Sequence, residues 1–281
     1  MEAKLVICHR LAQSRERSSI QAAWRHDLGP PTLALQEELG FTRYSQVHSV
    51  SPGHLVRRVL LLSRTRIVAS LVALTTGHRT DTPRDGGAAA RGGAERWDVV
   101  DEFWWPSVED LLAAATSKTG IAALSRLRRM RAPYTQVTAA AVCRELIVAA
   151  PRAEQPGTAR VSFCLRPRPR DTPAEMQSYW RKDHTALVQS MAETLGFDQY
   201  DLAPTVLDDP RADVVIDALG GSQSRPYVGF ASLSYPTIRD VTLQFLRPTV
   251  QMANFKLMQD ELAFIDPPAC SPVLGTRVPI V

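Results

Sequence analysis

Lysine is scarce in this chain. Only Lys4, Lys118, Lys182 and Lys256 stand among 33 basic residues in 281, and the rest are Arg. These cations are spread from Arg10 to Arg277, with local clusters only at Arg57–Arg66 and Arg126–Arg131. No nucleic-acid module accompanies them, so the formal charge of +4 reads as composition and excludes nucleic acid as the expected partner. The four cysteines (Cys8, Cys143, Cys164, Cys270) form no C-x-x-C pair and have no His at zinc-ligand spacing. That excludes a disulfide framework and a structural zinc site, and the thiols read as reduced and buried in a cytoplasmic protein. Long apolar runs are also missing. Leu5 to Cys8 is too short for a secretory core, and Arg57, Arg58, Arg64 and Arg66 interrupt Leu55–Thr76, so no membrane span is expected. There is no G-x-G-x-x-G after a strand, no Walker loop, no G-x-S-x-G elbow and no H-E-x-x-H. No metal or organic cofactor is therefore expected. With 44% hydrophobic and 22% charged residues, the chain has a globular composition and enough length for a sizeable core.

What is present is a repeat. Trp24-Arg25-His26-Asp27-Leu28 matches Trp180-Arg181-Lys182-Asp183-His184 at an offset of 156. The same offset pairs Leu39-Gly40-Phe41 with Leu195-Gly196-Phe197, Tyr44 with Tyr200, Cys8 with Cys164, and Arg10 with Arg166. Trp105–Asp110 matches Tyr235–Asp240 at an offset of 130, and Glu145-Leu146 aligns with Glu261-Leu262 at 116. Ordered matches of this kind indicate a duplicated unit. The expected organisation is a first unit at 1–150, a linker at 151–157, and a second unit at 158–281 ending in a Pro-rich tail. The falling offsets predict 26 extra residues in the first unit within about 51–96, outside the barrel core. They predict 14 more after its Pro106 helix start.

Each unit reads as strand, helix, strand, strand, helix, strand. Lys4–Arg10 and Arg160–Arg166 are short apolar runs of strand type. Thr172-Pro173-Ala174-Glu175 is a capping box that opens a helix through Met176, Trp180, Leu187, Met191 and Leu195. Its partner carries Ile20 and Trp24 and meets Pro30-Pro31, where a break or kink is expected. Gly40 and Gly196 suit left-handed helix ends. Phe41–Val50 and Phe197–Val206 are the second strands, and Asp98–Trp105 and Tyr227–Tyr235 the third. Ser107 and Thr237 cap the second helices. Val142–Ala149 and Glu261–Ile265 are the expected closing strands, and Leu207–Pro226 the expected loop. This is the βαββαβ, ferredoxin-like order of an α+β fold.

The W-x-x-x-H start of Trp180–His184, the L-G-F-x-x-Y of Leu195–Tyr200 and the D-E-F-W-W-P-S-V-E-D of Asp101–Asp110 resemble the EthD-type family of dimeric α+β barrels. The resemblance covers both halves. It implies two ferredoxin-like units forming an intramolecular barrel, with helices outside and a mostly apolar cavity between each sheet and its helices. It also implies chemistry without a cofactor on a small hydrophobic, aromatic or polyketide-like molecule. Cyclase, dehydratase, isomerase or decarboxylase action is the first expectation. An oxygenase of phenol- or anthrone-like substrates and a non-catalytic binding barrel are the alternatives. A homodimer of the two-unit chain is compatible with it. Related barrels bind haem through a single His, and nothing here points to one.

The two units keep different parts of the family pattern. His184 ends W-x-x-x-H in the second unit, where the first has Leu28. The first keeps Tyr44, Gln46 and His48 where the second has Tyr200, Leu202 and Pro204. Period-2 alternation puts Tyr44, Gln46 and His48 on one strand face. With Glu102 and Trp104 they are expected to line one cavity, with His9 and Trp24 as further binding residues. A neutral imidazole beside a phenol and a carboxylate is an acid–base set, so the first unit is the expected catalytic one. Trp180, His184 and Tyr200 form the second candidate. Tyr179 and Asp183 are expected at the surface.

Overall fold

The computed structural model describes residues 1–12, 16–50, 96–149, 157–222 and 226–280. The expected insertion and linker lie outside the described residues, apart from Arg96 and Gly157.

The first unit runs β1 (Ala3–Leu11), α1 (Arg17–Ala23), a π-helical turn (Trp24–Leu28), α2 (Gly29–Leu33), α3 (Gln36–Leu39), β2 (Arg43–Ser49) and β3 (Val99–Trp105). It continues through α4 (Val108–Thr116), α5 (Lys118–Arg131), β4 (Thr135–Arg144) and a two-residue β5 (Leu146–Ile147). The second runs β6 (Ala159–Leu165), α6 (Pro173–Tyr179), a π-helical turn (Trp180–His184), α7 (Thr185–Ser190), α8 (Ala192–Leu195) and β7 (Gln199–Pro204). Then come α9 (Arg211–Ala218), β8 (Gly229–Tyr235), α10 (Ile238–Leu246), α11 (Pro248–Glu261) and β9 (Ser271–Ile280). The strand order is β4-β1-β3-β2-β9-β6-β8-β7-β5, with every named pairing antiparallel.

Each unit thus orders its four long strands 4-1-3-2, and β2 joins β9 from Tyr44↔Ile280 to Ser49↔Gly275. At the other edges Leu146 pairs with Leu202, Cys143 bridges Thr205, and the Val206 amide donates to the Val142 carbonyl at 2.8 Å. The sheet therefore curls into a nearly closed barrel that leaves little unpaired edge. Alternate residues separate its two faces. Leu5, Ile7, Tyr44, Phe103, Trp105 and Val142 pack under helices, while Val6, Cys8, Val47, Val100, Ala141 and Cys164 fill the barrel. The four cysteines are free and buried.

Local chemistry explains the element ends. Ser107 and Thr237 accept the Asp110 and Asp240 amides, and Thr172 with Glu175 forms the reciprocal capping box. Gly40 and Gly196 end α3 and α8 at φ of 67° and 65°. The helix interruption at Trp24–Leu28 is not a proline effect. The second unit has the same π-helical turn with no proline, and Pro30 and Pro31 sit in the first turn of α2.

Four sequence expectations are corrected. Helices α4–α5 and α10–α11 have matching lengths throughout at an offset of 130, so no 14-residue insertion follows Pro106. The Glu145/Glu261 alignment was a chance dipeptide match: Glu261 ends α11, and its counterpart is Arg131 at the end of α5. The closing strands are β4, seven residues earlier than expected, and β9, which takes the place of the Glu261–Ile265 strand and the Pro-rich tail. Prolines demote a strand reading, but each proline of β9 lies where the strand has one neighbour. Pro272 faces only β6 and Pro279 only β2. Last, the Leu207–Pro226 connection contains α9, which lays Ala212, Val215 and Leu219 onto the helical core of the first unit.

Candidate active site

Under the helices of the first unit, Asp101 is wholly buried and accepts four hydrogen bonds. Its Oδ1 takes Tyr44 Oη at 2.8 Å and Trp24 Nε1 at 3.2 Å, and its Oδ2 takes Arg131 Nε at 2.8 Å and His9 Nε2 at 3.0 Å. Gln46 Nε2 donates to Tyr44 Oη at 2.8 Å and to the Trp24 carbonyl at 3.1 Å. Gln46 Oε1 accepts from His48 Nε2 at 2.7 Å, which fixes that nitrogen as N–H. Burial works against ionising Asp101, but Arg131 and the donors around it hold it well below the ordinary carboxylate range. Burial, aided by the Arg25 charge, pushes His48 down to about 4. Burial drives Tyr44 far up and His9 down.

This arrangement is filled and almost fully paired. One ion pair is surrounded by neutral groups, and among these side chains only His48 Nδ1 and one Arg131 nitrogen are buried without a partner. A cleft of about 200 Å³ opens beside His9 and Arg131, but its lining includes none of Tyr44, Gln46 or His48. The expected first-unit pocket is therefore occupied by the protein's own side chains.

Glu102 and Trp104 are not there. Register decides this: Gln46 pairs with Asp101 and Ser45 with Glu102, so Asp101 shares the helix-side face and Glu102 points into the barrel. Glu102 meets Lys4 at 2.8 Å and Arg160 at 3.3 Å, and Arg160 reaches Asp201 at 3.1 Å. Arg160, Lys4 and Arg277 outweigh burial and hold Glu102 far below the usual range. Trp104 Nε1 donates to Glu145 at 2.7 Å, with Lys4, Arg43 and Arg277 around its ring. This is a buried structural ion network.

The second unit differs at the same places. Offsets of 156 and 130 put Trp180 at the position of Trp24, Tyr200 at that of Tyr44, Ala231 at that of Asp101 and Glu261 at that of Arg131. His9 is replaced by Leu165, Gln46 by Leu202 and Leu28 by His184. The ion pair and its ligands are gone, and a cavity of about 160 Å³ stands in their place. Trp180, His184, Tyr200, Ala231, Glu261 and Phe264 are in its wall. Cavities of this size hold about one aromatic ring. Gly229 is required here, because a Cβ would lie 2.4 Å from the Trp180 ring.

The polar groups of this wall come from two helices. His184 ends the π-helical turn, where the widened backbone turns it inward, and its Nδ1 lies 2.7 Å from Asp260 Oδ2. Asp260 Oδ1 accepts from Tyr179 Oη at 2.7 Å, so Tyr179 supports the site rather than lying free at the surface. That bond holds the Tyr179 hydroxyl proton, raising its pKa to about 12. With Nδ1–H given to Asp260, Nε2 of His184 carries the lone pair. Burial keeps His184 below its ordinary range although Asp260 opposes it. Burial, and then the Asp260 charge, raises Glu261 to about 7. Asp260, Glu261 and Tyr179 escaped sequence reading, because helix α11 joins β7 and β8 around the cavity only in three dimensions. Alignment at an offset of 130 would have shown the Arg131-to-Glu261 and Asp101-to-Ala231 replacements.

Two stacked βαββαβ units, one sheet curled on itself and a cavity under the helices of one half define a dimeric α+β barrel contained in a single chain. Within that class, residues 168–268 match the EthD domain. An anthrone oxidase-like protein of solved structure superposes with a TM-score of 0.53 at 10% identity, covering 99% of this chain and 91% of its own. A candidate monooxygenase from Fusobacterium nucleatum gives 0.46 at 8% identity, covering 100% and 93%. The likeness to the anthrone oxidase-like protein is one of fold. No curated protein matches the sequence. Among the described residues, no helix is long and apolar enough to cross a membrane, and no cluster of side chains could hold a metal ion.

Proposed function

We propose that the chain is a cofactor-independent enzyme that moves a proton on a small, ring-sized hydrophobic molecule bound in the second-unit cavity. The observation that carries this is His184, which stands in the wall of a mostly apolar cavity and is hydrogen-bonded to Asp260. A neutral imidazole oriented by a carboxylate is a general base near neutral pH. Glu261, with its pKa raised to about 7, is a suitable partner to return the proton. Proton abstraction beside a carbonyl gives an enolate, from which cyclisation, dehydration, isomerisation or decarboxylation can follow. The first unit then serves as scaffold, because its corresponding space is filled.

The test is α-proton exchange of one-ring ketones and 1,3-diketones in deuterated buffer, followed by NMR. The wild-type chain should accelerate exchange, and His184→Ala should lose about 10²–10⁴-fold of that acceleration. Exchange no faster than buffer across the series overturns the reading. If His48→Ala abolished exchange while His184→Ala did not, the first unit would be the active one. Oxygen uptake with phenolic substrates separates an oxygenase, which shares the deprotonation step, from the isomerase or lyase class.

A further inference from the structure

Trp24 Nε1 and Tyr44 Oη both donate to one oxygen, Asp101 Oδ1. Their counterparts Trp180 and Tyr200 are equally buried, at 0% and 2% exposure, and both line the cavity. Yet Trp180 Nε1 and Tyr200 Oη have no hydrogen-bond partner among the described residues. The reason is visible in the register. Leu202 pairs with Ala231 as Gln46 pairs with Asp101, so the position that supplies the acceptor in the first unit carries a methyl group in the second. The Tyr200 hydroxyl has the Trp180 indole and the Thr185 hydroxyl as neighbours, and neither stands at hydrogen-bond geometry to it; the Thr185 proton goes to the Trp180 carbonyl at 2.8 Å. That hydroxyl is left without a completed hydrogen bond among the described residues. Leaving a buried donor unpaired costs about 1–3 kcal/mol, and two side by side facing a cavity are a built recognition element.

We propose that Trp180 Nε1 and Tyr200 Oη together bind a single oxygen atom of the ligand, at the place that Asp101 Oδ1 occupies in the first unit. The ligand class is a ring-bearing ketone or phenol. The bond is strongest when that oxygen carries charge, as in an enolate or phenolate. The first unit shows the geometry in its occupied form, with a carboxylate oxygen as the stand-in for the ligand's oxyanion. The inference rests on the second-unit cavity being the reactive site, but it concerns binding and can be tested without turnover. His184 would take the proton, and the donor pair would hold the oxygen left negative.

The probe is 4-nitrophenol, whose absorption reports its ionised form, compared with 4-nitrotoluene, which replaces the hydroxyl by a methyl of similar size. Titration of the full chain should show one site that prefers 4-nitrophenol about ten- to hundredfold. The bound probe should stay ionised at a lower pH than the free one. Tyr200→Phe and Trp180→Phe should each remove most of both effects. Ala231→Asn, which restores an acceptor where Asp101 stands in the first unit, should weaken 4-nitrophenol binding at least tenfold. Should that variant fail to melt cooperatively, Tyr200→Phe decides. Equal affinity for the two probes, no binding of either at millimolar concentration, or an unchanged preference in Tyr200→Phe would overturn the proposal. Oxygen-dependent binding without ketone exchange would leave the donor pair standing and sink the proton-transfer reading. Exchange without the binding preference would do the reverse.

Discussion

Tyr44 and Tyr200 occupy matched positions, and removing the same atom from each should have different consequences for stability. The Tyr44 hydroxyl donates to Asp101, accepts from Gln46 and sits 3.2 Å from an Arg131 nitrogen. Tyr44→Phe therefore deletes a hydrogen bond to a buried charge, worth about 1.5–3 kcal/mol, and strips Asp101 of one of its four donors. The entropy of unfolding is about 2.1 cal/mol/K per residue, so 281 residues melt with roughly 0.6 kcal/mol per degree. The expected fall in melting temperature is about 3–5 °C. Tyr200→Phe deletes a buried hydroxyl with no partner and should be neutral, or stabilising by up to about 1 kcal/mol. Calorimetry and urea unfolding on both variants give the comparison, with equal denaturant slopes as the check that the unfolded state is unchanged. If Tyr200→Phe destabilises as much as Tyr44→Phe, the second-unit hydroxyl has a partner, and the open-acceptor argument fails.

Two further outcomes follow from the electrostatics. His48 is held at about 4 in the folded chain against 6.5 unfolded, so the unfolded state binds the extra proton between those values. Its contribution is complete above pH 6.5 and is lost as pH falls to about 4, up to about 3 kcal/mol. Glu261 has the opposite sign: raised to about 7, it favours the fold at low pH, and that support fades as pH rises through 7. His48→Phe should flatten the acid limb of stability measured from pH 7 to 4, and Glu261→Gln should steepen it; an unchanged limb in His48→Phe refutes its assignment as a buried neutral imidazole. Glu102→Ala leaves Lys4, Arg160 and Arg277 without their central carboxylate, at a cost of about 3–5 kcal/mol. Thermal denaturation should fall by about 5–8 °C, while 4-nitrophenol affinity stays within twofold; a specific loss of affinity would return Glu102 to the site.

Features that are local or periodic could be read from the residue order alone. Repetition of Trp24–Leu28 at Trp180–His184, the caps at Ser107, Thr172 and Thr237, and the glycines ending α3 and α8 depend on neighbours within a few residues. They were legible, and with them the fold class. So was the alternation that sends Tyr44, Gln46 and His48 to one side. Alternation within a strand says nothing about which residue of the next strand shares that side, because pairing can slip by one and exchange the faces. That is why Glu102 was expected where Asp101 stands. The closing strand β9 was hidden by its prolines, which are tolerated only because each meets a single neighbour, a fact of assembly. The site itself needed the tertiary structure most. Arg131 and Glu261 reach their units' cavity positions from the ends of 14-residue helices. Whether a cavity is filled or open depends on the sum of side chains brought there by separate elements. One unit closes over Asp101 and Arg131; the other, with Ala231 and Glu261 in their places, stays open.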